Sequence, residues 1–246
     1  MQTLFFDIET TAIHDFRSLD GCDKILCISI KGQDDQVVTY HDDLSPALKA
    51  LRNADVIVGH NIINFDIPAI QRLYPDWKPL GRVLDTLVLS RLGWTDLRQQ
   101  DAERTDFPSR LVGSHSLKAW GLRLGGEKGE FGADPEDWSQ YTNEMREYCE
   151  QDVRVTEALY KHAQSHLNMH SEAVILEHDF AEVIRDQWRN GMEFDGEAAG
   201  ELHKELVACH LAIEEELQVI FPPKEEPMKT RAYWIADSGK TYKTKK

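Results

Sequence analysis

Four acidic residues, Asp7, Glu9, Asp66 and Asp152, lie next to apolar stretches of the sequence. Moving a carboxylate out of water costs several kcal/mol unless a positive charge lies close to it. A pocket of four carboxylates presents only oxygen ligands, a set that suits Mg²⁺ or Mn²⁺ better than Zn²⁺. Two such ions, about 3.5–4 Å apart, can activate a water molecule and stabilise the leaving oxygen of a phosphodiester. The four acids therefore predict metal-dependent phosphodiester chemistry, provided that the fold brings them together.

The first two acids end an apolar run near the N-terminus, TLFFDIE. Alternate side chains of a strand share one face, so Asp7 and Glu9 would point the same way as Phe5. The alternative is a strand that ends at Phe6 and leaves both acids in solvent.

The other two acids belong to helices. Asp66 follows an apolar strand and precedes a predicted helix that starts at Pro68, where it could simply cap that helix. Asp152 falls within the apolar face of a long predicted helix, and Tyr148 lies one turn before it on the same face. The hydroxyl of Tyr148 is thereby placed to orient the attacking water. A charge on a buried helix face is typical of a functional site, and a solvated face is the weaker alternative.

The elements that must position these residues alternate between strands and helices over the first part of the chain. The predicted strands are Thr3–Ile8, Lys24–Ile30, Val37–Tyr40, Val56–Gly59 and Val83–Leu84. The predicted helices are Pro46–Asn53, Pro68–Leu73, Thr86–Leu92, Ser116–Leu124 and about Asn143–His166. This order predicts an α/β fold, in which helices flank a mixed central sheet. The stretch Trp94–Arg110 lacks periodicity and is predicted to be a long mobile loop.

The pattern changes after about His166. Two amphipathic helices are predicted, one at Glu172–Arg189 and one between Leu202 and Ile220, packed as an antiparallel pair with their apolar stripes as core. From Phe221 onward seven basic residues face three acids, and this net +4 tail is predicted to lack fixed structure.

Composition limits the class of protein. The 28 lysines and arginines are outnumbered by 43 acids, a formal net charge of −15, which excludes a broad basic surface that grips duplex nucleic acid. Bound dications would still let such a protein act on a polyanion. Four cysteines without CxxC spacing indicate reduced thiols, and no apolar run approaches the roughly 20 residues that span a bilayer. We therefore expect a cytoplasmic protein without a membrane partner.

Three motifs in order carry a resemblance to a known family. They are Asp-x-Glu at residues 7–9, Asn-x₃-Phe-Asp at 61–66 and Tyr-x₃-Asp at 148–152. Together they resemble the tyrosine branch of the DEDD superfamily, the 3′→5′ proofreading exonucleases of DNA polymerases with a ribonuclease-H-like fold. The segments DTLVLSRL (85–92), GSHSLKAWG (113–121) and QDV (151–153) resemble the bacteriophage branch of family A polymerases. The likeness covers roughly residues 3–221.

The resemblance implies a role for each matching residue. Asp7, Glu9 and Asp152 would hold the tighter of two Mg²⁺ or Mn²⁺ ions, and Asp7 would bridge to a second ion that Asp66 supports through water. Tyr148 would position the attacking water. Five residues would contact the DNA strand, although capping by Ser116 and ordinary packing by His115 explain those two equally well. These five are Asn61, Phe65, Arg91, His115 and Ser116.

The resemblance also implies a division of the chain and a set of partners. An exonuclease domain would span residues 1–168, a helical hairpin resembling the start of a polymerase thumb 169–221, and a flexible basic tail 222–246. The substrate would be single-stranded DNA 3′ ends, with a separately encoded polymerase subunit as a further partner, in the host cytoplasm if a phage encodes the chain. No palm with paired catalytic aspartates follows, so no polymerisation is expected from this chain alone. Two alternatives stay open: trimming of RNA, and a catalytically silent module that docks a polymerase subunit.

Overall fold

A five-stranded mixed sheet organises the protein in the computed structural model, which describes residues 1–15, 18–125 and 138–222 together with the backbone of 234–235 and 241–242. The sheet order is β3-β2-β1-β4-β5, with β1 in the centre. β2 is antiparallel to both β1 and β3, whereas β4 is parallel to β1 and to β5. The five strands are β1 (Thr3–Thr10), β2 (Ile25–Lys31), β3 (Val37–Tyr40), β4 (Val56–Gly59) and β5 (Arg82–Asp85).

Eight α-helices occur in the described residues. They are α1 (Ser45–Asn53), α2 (Asp66–Leu73), α3 (Thr86–Gly93), α4 (Leu97–Ala102), α5 (Leu117–Arg123), α6 (Asn143–Gln164), α7 (Glu172–Asn190) and α8 (Gly196–Ile220). A 3₁₀ turn covers Ser109–Leu111. The α/β fold class, with helices flanking a mixed sheet, is therefore confirmed.

Both faces of the sheet are covered, because the side chains of β1 alternate between them. Leu4, Phe6 and Ile8 pack with the apolar residues of α1 and α2. Phe5 packs on the opposite face with residues of α3, α5 and α6, including Trp120. Asp7 and Glu9 share the face of Phe5, so the strand geometry directs both acids toward the α6 side.

The structure differs from the sequence-based prediction between residues 94 and 110. The predicted loop contains α4, and its residue Asp101 is only 2% exposed. The Asp101 carboxylate accepts hydrogen bonds from Arg123 Nε (3.0 Å), Arg123 Nη2 (2.7 Å) and the Gly113 N–H (2.8 Å). This buried ion pair with α5 organises a segment whose local sequence lacks periodicity.

Two compact units are distinguished, Met1–Gly191 and Met192–Lys246. In the first, α7 packs against the remainder through buried Val174 and His178, while the apolar stripe that contains Phe180, Val183 and Trp188 is exposed. In the second, α8 has no buried residue among those described, and Leu206 and Leu217 are exposed. The prediction that both stripes form core is therefore wrong. The antiparallel pairing of the two helices stays a prediction.

The remaining expectations concern the tail, the cysteines and the membrane. Most of the predicted tail, 222–246, lies outside the described residues, but a short antiparallel pairing joins β6 (Trp234–Ile235) to β7 (Thr241–Tyr242). The four cysteines are free thiols, as predicted. Within the described part of the chain, no helix combines the length and apolar character needed to cross a bilayer.

Candidate active site

The first half of the site is the C-terminal end of β1. β1 continues to Thr10, so the alternative in which the strand ends at Phe6 is wrong. Asp7 lies opposite Ser29 of β2 and Glu9 opposite Cys27. Glu9 is 6% exposed, whereas Asp7 is partly buried. One ligand atom each of Asp7, Glu9 and Cys149 lies within 4.8 Å of the others, so strand geometry alone brings two carboxylates together.

Asp66 joins this pair from the N-terminus of α2. β4 pairs with β1 only as far as Phe5, which leaves later backbone groups of β1 available on that side. The N–H of Ile8 donates to Asp66 Oδ1 at 3.2 Å, and Asp66 is 3% exposed. The residue at the N-cap position of α2 is Phe65, and Asp66 is the first helical residue. Asp66 therefore fastens α2 to the end of β1 and is not the helix cap that its position in the sequence also allowed.

α6 supplies the fourth acid. Asp152 is 5% exposed and belongs to the buried face of α6, with Cys149 and Val153 as neighbours on that face. Tyr148 lies one turn earlier and is partly buried, with its ring edge-to-face with that of Trp138 at a centroid distance of 6.5 Å. The solvated-face interpretation of Asp152 is thus excluded by its burial.

The electrostatics show that the four acids act on one another. Burial raises the pKa of Glu9 well above its ordinary value, and the charges of Asp7, Asp152 and Asp66 raise it further. Burial, followed by the charge of Asp7, also raises the pKa of Asp66. Carboxylates crowd in this way at low cost only when a cation neutralises them. The structure therefore places Asp7 and Glu9 next to each other, and the charges of Asp66 and Asp152 also act on Glu9.

Cys149 is a neighbour of the site that the sequence analysis did not identify. Its Sγ lies 3.5 Å from both the carbonyl oxygen and Oδ2 of Asp7. Burial, together with a hydrogen bond to Cys27, raises the pKa of the Cys149 thiol well above its ordinary value. With no metal bound, the sulfur is therefore a protonated, weak donor toward Asp7. The ligand set stays a set of carboxylate oxygens, which fits Mg²⁺ or Mn²⁺.

Asp85 supports the loop that leads into α2, a role that the sequence analysis also missed. Its carboxylate accepts the N–H groups of Asn61 (2.7 Å), Ile63 (3.1 Å) and Leu87 (2.9 Å), and the residue is 1% exposed. Asn61 has a left-handed backbone with φ of 64°, which a hydrogen-bonded carboxylate can hold in place. The N–H of Asp85 in turn donates to Nε2 of His178 on α7 at 2.9 Å. Asp85 thus fixes the path of the chain toward Asp66.

The predicted substrate-binding residues occupy two separate places. Asn61 and Phe65 lie in the loop before Asp66, where the Asn61 side-chain oxygen accepts a hydrogen bond from Asn64 (2.9 Å) and Phe65 packs against the core.

The other three predicted contacts lie around α3 and α5. Arg91 is exposed near the end of α3. Burial, followed by the positive charge of Arg91, lowers the pKa of His115. His115 Nδ1 is 2.6 Å from Ser90 Oγ, and Ser116 is the N-cap of α5, accepting from the Ala119 N–H (3.3 Å). The packing and capping alternatives for His115 and Ser116 therefore have direct structural support, and their contact with DNA stays a prediction.

The geometry above belongs to a recognised fold class. The structure of Brucella melitensis NrnC has a TM-score of 0.50 with this chain and 17% sequence identity, and the match covers 76% of this chain and 82% of NrnC. That likeness concerns the fold alone, and it agrees with the ribonuclease-H-like fold that the family resemblance implied.

Sequence comparison gives closer relatives. The chain is 33% identical over 204 residues to the DNA-directed DNA polymerase of Enterobacteria phage T3, covering 66% of this chain and 29% of that polymerase. It is also 33% identical over 194 residues to the DNA-directed DNA polymerase of Escherichia phage T7, covering 62% and 28% respectively. The matched region thus spans less than a third of either polymerase. No protein-family model matches the chain. The predicted resemblance to phage DNA polymerases is confirmed by these two relatives.

Proposed function

We propose that the protein is a metal-dependent 3′→5′ exonuclease that hydrolyses single-stranded or frayed DNA ends to nucleoside monophosphates. The observation that carries the proposal is the crowding of acids at the end of β1, where oxygens of Asp7 and Glu9 lie within 4.8 Å of each other and the charges of Asp152 and Asp66 also raise the pKa of Glu9. The similarity to two phage DNA polymerases supports DNA as the substrate.

The carboxylates of Asp7, Glu9, Asp66 and Asp152 would hold two Mg²⁺ or Mn²⁺ ions. When bound, such ions lower the pKa of a water molecule and offset negative charge on a phosphodiester. The residues fit this task because they offer only carboxylate oxygens and are buried, or partly buried in the case of Asp7. Bound cations would restore the ionised forms that burial disfavours in Glu9 and Asp66.

The remaining groups of the site would orient the reactants. The hydroxyl of Tyr148, one helical turn before Asp152, would hold the attacking water in line with the scissile bond. Asp66 is already oriented by the Ile8 N–H, and Asp7 by the Cys149 thiol, so two ligands need little rearrangement when the substrate arrives. Preorganisation of this kind lowers the barrier of a reaction that develops charge.

The choice of a strand end as substrate follows from charge and from pairing energy. With a net charge of −15 the protein has no broad basic surface with which to grip a duplex. A mispaired end separates from its template at a lower cost than a paired one. A DNA polymerase active site would then supply the primer ends, as the proofreading role requires.

The test is digestion of an oligonucleotide labelled at its 5′ end. With Mg²⁺ the wild-type protein should shorten single-stranded DNA stepwise from the 3′ end, and EDTA should stop the reaction. Asp7→Ala and Asp152→Ala should each abolish digestion, whereas Glu147→Gln, on the exposed side of α6, should not. Digestion that survives in either aspartate variant contradicts the catalytic assignment.

A parallel digestion identifies the nucleic acid. An RNA oligomer of the same sequence, shortened faster than the DNA, would assign the protein to RNA trimming. No turnover of either oligomer, together with a stable complex with a polymerase subunit, would instead indicate the silent docking module.

A further inference from the structure

A cleft between two helices is lined by three arginines. It lies between α2 and the C-terminal half of α7, within the first compact unit, and has a volume of about 380 Å³. Its charged residues are Arg72 on α2 and Arg185, Asp186 and Arg189 on α7. We call these four residues, with the surrounding Pro68 and Gln71, the arginine cleft.

The arginines are held in place by different means. Arg72 donates to the carbonyl oxygens of Ser18 (3.0 Å) and Cys22 (3.3 Å), which fixes its guanidinium at one wall. Arg189 Nη2 donates to the carbonyl oxygen of Asn64 at 3.1 Å, whereas its buried Nε has no hydrogen-bond partner among the described residues. Arg185 Nε donates to Asp186 at 2.8 Å.

The residues that line the cleft carry more positive than negative charge. Three guanidiniums face one carboxylate, that of Asp186, whose side chain is 60% exposed. Arg185 and Arg189 are four residues apart on one helix, a spacing at which like charges repel. Burial, followed by the charge of Arg185, lowers the pKa of Arg189. An added anion would relieve this repulsion.

The chemistry of the cleft selects the anion. Guanidinium groups donate paired, planar hydrogen bonds that match the oxygens of a phosphate group. Arg189 also donates to the carbonyl oxygen of Asn64, which links the cleft to the loop between Asn61 and Asp66, where a substrate contact is proposed. A phosphate group is therefore the oxyanion that the surroundings of the cleft would provide.

We propose that the arginine cleft binds a phosphate group, with Arg185 as its principal ligand. The phosphate would come either from a phosphodiester of a bound single strand or from a released nucleoside monophosphate. The proposal rests on the proposed function for the source of the phosphate. Arg185 is the principal ligand because, within the described part of the chain, its hydrogen bond goes to a neighbouring side chain and not to a backbone group that it must support.

The first experiment measures the binding of a 5′-fluorescein dT₁₂ oligonucleotide by fluorescence anisotropy in EDTA, over a series of salt concentrations. For Arg185→Gln we expect weaker binding and a plot of log K against log [salt] that is less steep by about 0.7, the value for one phosphate contact on a single strand. Asp186→Asn should bind more tightly, because it removes the carboxylate that competes for Arg185. Arg52→Gln, a loss of the same charge on α1, is the control and should match the wild type.

The second experiment separates the two sources by titrating dTMP and inorganic phosphate into the same four proteins, followed by calorimetry. If the cleft holds a released nucleotide, dTMP binds the wild type and not Arg185→Gln, and the salt dependence with dT₁₂ is unchanged. If the cleft holds a strand, dTMP binds the wild type and Arg185→Gln equally, and the salt dependence with dT₁₂ is less steep for Arg185→Gln.

Either of two results overturns the proposal. One is that wild type and Arg185→Gln bind both probes equally. The other is that Asp186→Asn binds neither probe more tightly than the wild type does. The digestion assay described above is read separately. If the protein digests DNA but Arg185→Gln binds like the wild type, only the proposed phosphate site is refuted. If binding depends on Arg185 but no digestion occurs, only the proposed exonuclease activity is refuted.

Discussion

The crowding of carboxylates at the end of β1 costs the folded protein stability whenever no cation is bound. Oxygens of Asp7 and Glu9 lie within 4.8 Å of each other. At an effective dielectric constant of about 20, two unit charges at this distance repel by about 3 kcal/mol. Partial exposure of Asp7 reduces the repulsion, and so does the raised pKa of Glu9, which lowers the ionised fraction of that carboxylate. Asp7→Asn should therefore raise the free energy of unfolding in EDTA by about 1–3 kcal/mol, or roughly 2–10 °C in Tm for a chain of this size.

The assay is urea and thermal unfolding of the wild type, Asp7→Asn and the control Glu147→Gln, each in EDTA and in MgCl₂. A ligand at 100 times its Kd stabilises the protein that binds it by about 2.7 kcal/mol. Mg²⁺ should therefore stabilise the wild type and stabilise Asp7→Asn less, so that the advantage of the variant shrinks or reverses. Glu147→Gln should stay within about 0.5 kcal/mol of the wild type in both buffers. An Asp7→Asn protein that is less stable than the wild type in EDTA, or that responds equally to Mg²⁺, would refute the reasoning.

Three further predictions concern residues around the site. Asp101→Ala leaves the guanidinium of Arg123 buried and unpaired, and should lower the free energy of unfolding by about 3–5 kcal/mol in urea. Hydrogen bonds from Arg123 lower the pKa of Asp101. The stability that the Asp101 carboxylate contributes is therefore complete above about pH 4 and is lost as the pH falls through its lowered folded-state pKa. On acidification, the free energy of unfolding of Asp101→Asn should fall less than that of the wild type. Asp85→Ala removes the acceptor of three backbone N–H groups and should slow digestion more than tenfold while Mg²⁺ still stabilises the protein; unchanged digestion would show that the loop holds its shape without Asp85. Tyr148→Phe should lower kcat by about 10²-fold with no change in Mg²⁺-dependent stability, and an unchanged kcat would remove the tyrosine from the mechanism.

The sheet was predictable because its signals are local. Successive side chains of a strand point to opposite faces, so the sequence of residues 3–10 indicates which side chains share a face. The same rule places Asp7 and Glu9 on one face. The burial of Asp152 was predictable for the same reason, since a single charge within an apolar helical stripe is visible in the sequence. The convergence of strand and helix needed the fold class as well, which the order of elements supplied.

The parts that escaped prediction depend on partners distant in sequence. α4 is ordered by the pairing of Asp101 with Arg123, 22 residues away, and no local pattern announces such a contact. Asp85 precedes its helix as an ordinary cap would, and only the structure shows that it also supports residues 61 and 63. The arginine cleft joins α2 to α7 across more than one hundred residues.

The apolar stripes of α7 and α8 show a second limit of prediction from sequence. A periodic stripe indicates that an apolar face exists, but periodicity carries no information on what covers that face. In the described residues Phe180, Val183 and Leu206 are exposed, so the stripes do not form the core that the pattern favoured.

The central claim is that Asp7, Glu9, Asp66 and Asp152 jointly hold divalent cations. Anomalous diffraction from crystals soaked in Mn²⁺ tests it most directly, because the anomalous signal locates manganese without reference to activity. Two manganese peaks are expected among these four carboxylates in wild-type crystals, and both should be absent from crystals of Asp7→Asn. Manganese bound elsewhere, with no peak among the four carboxylates of the wild type, would contradict the account.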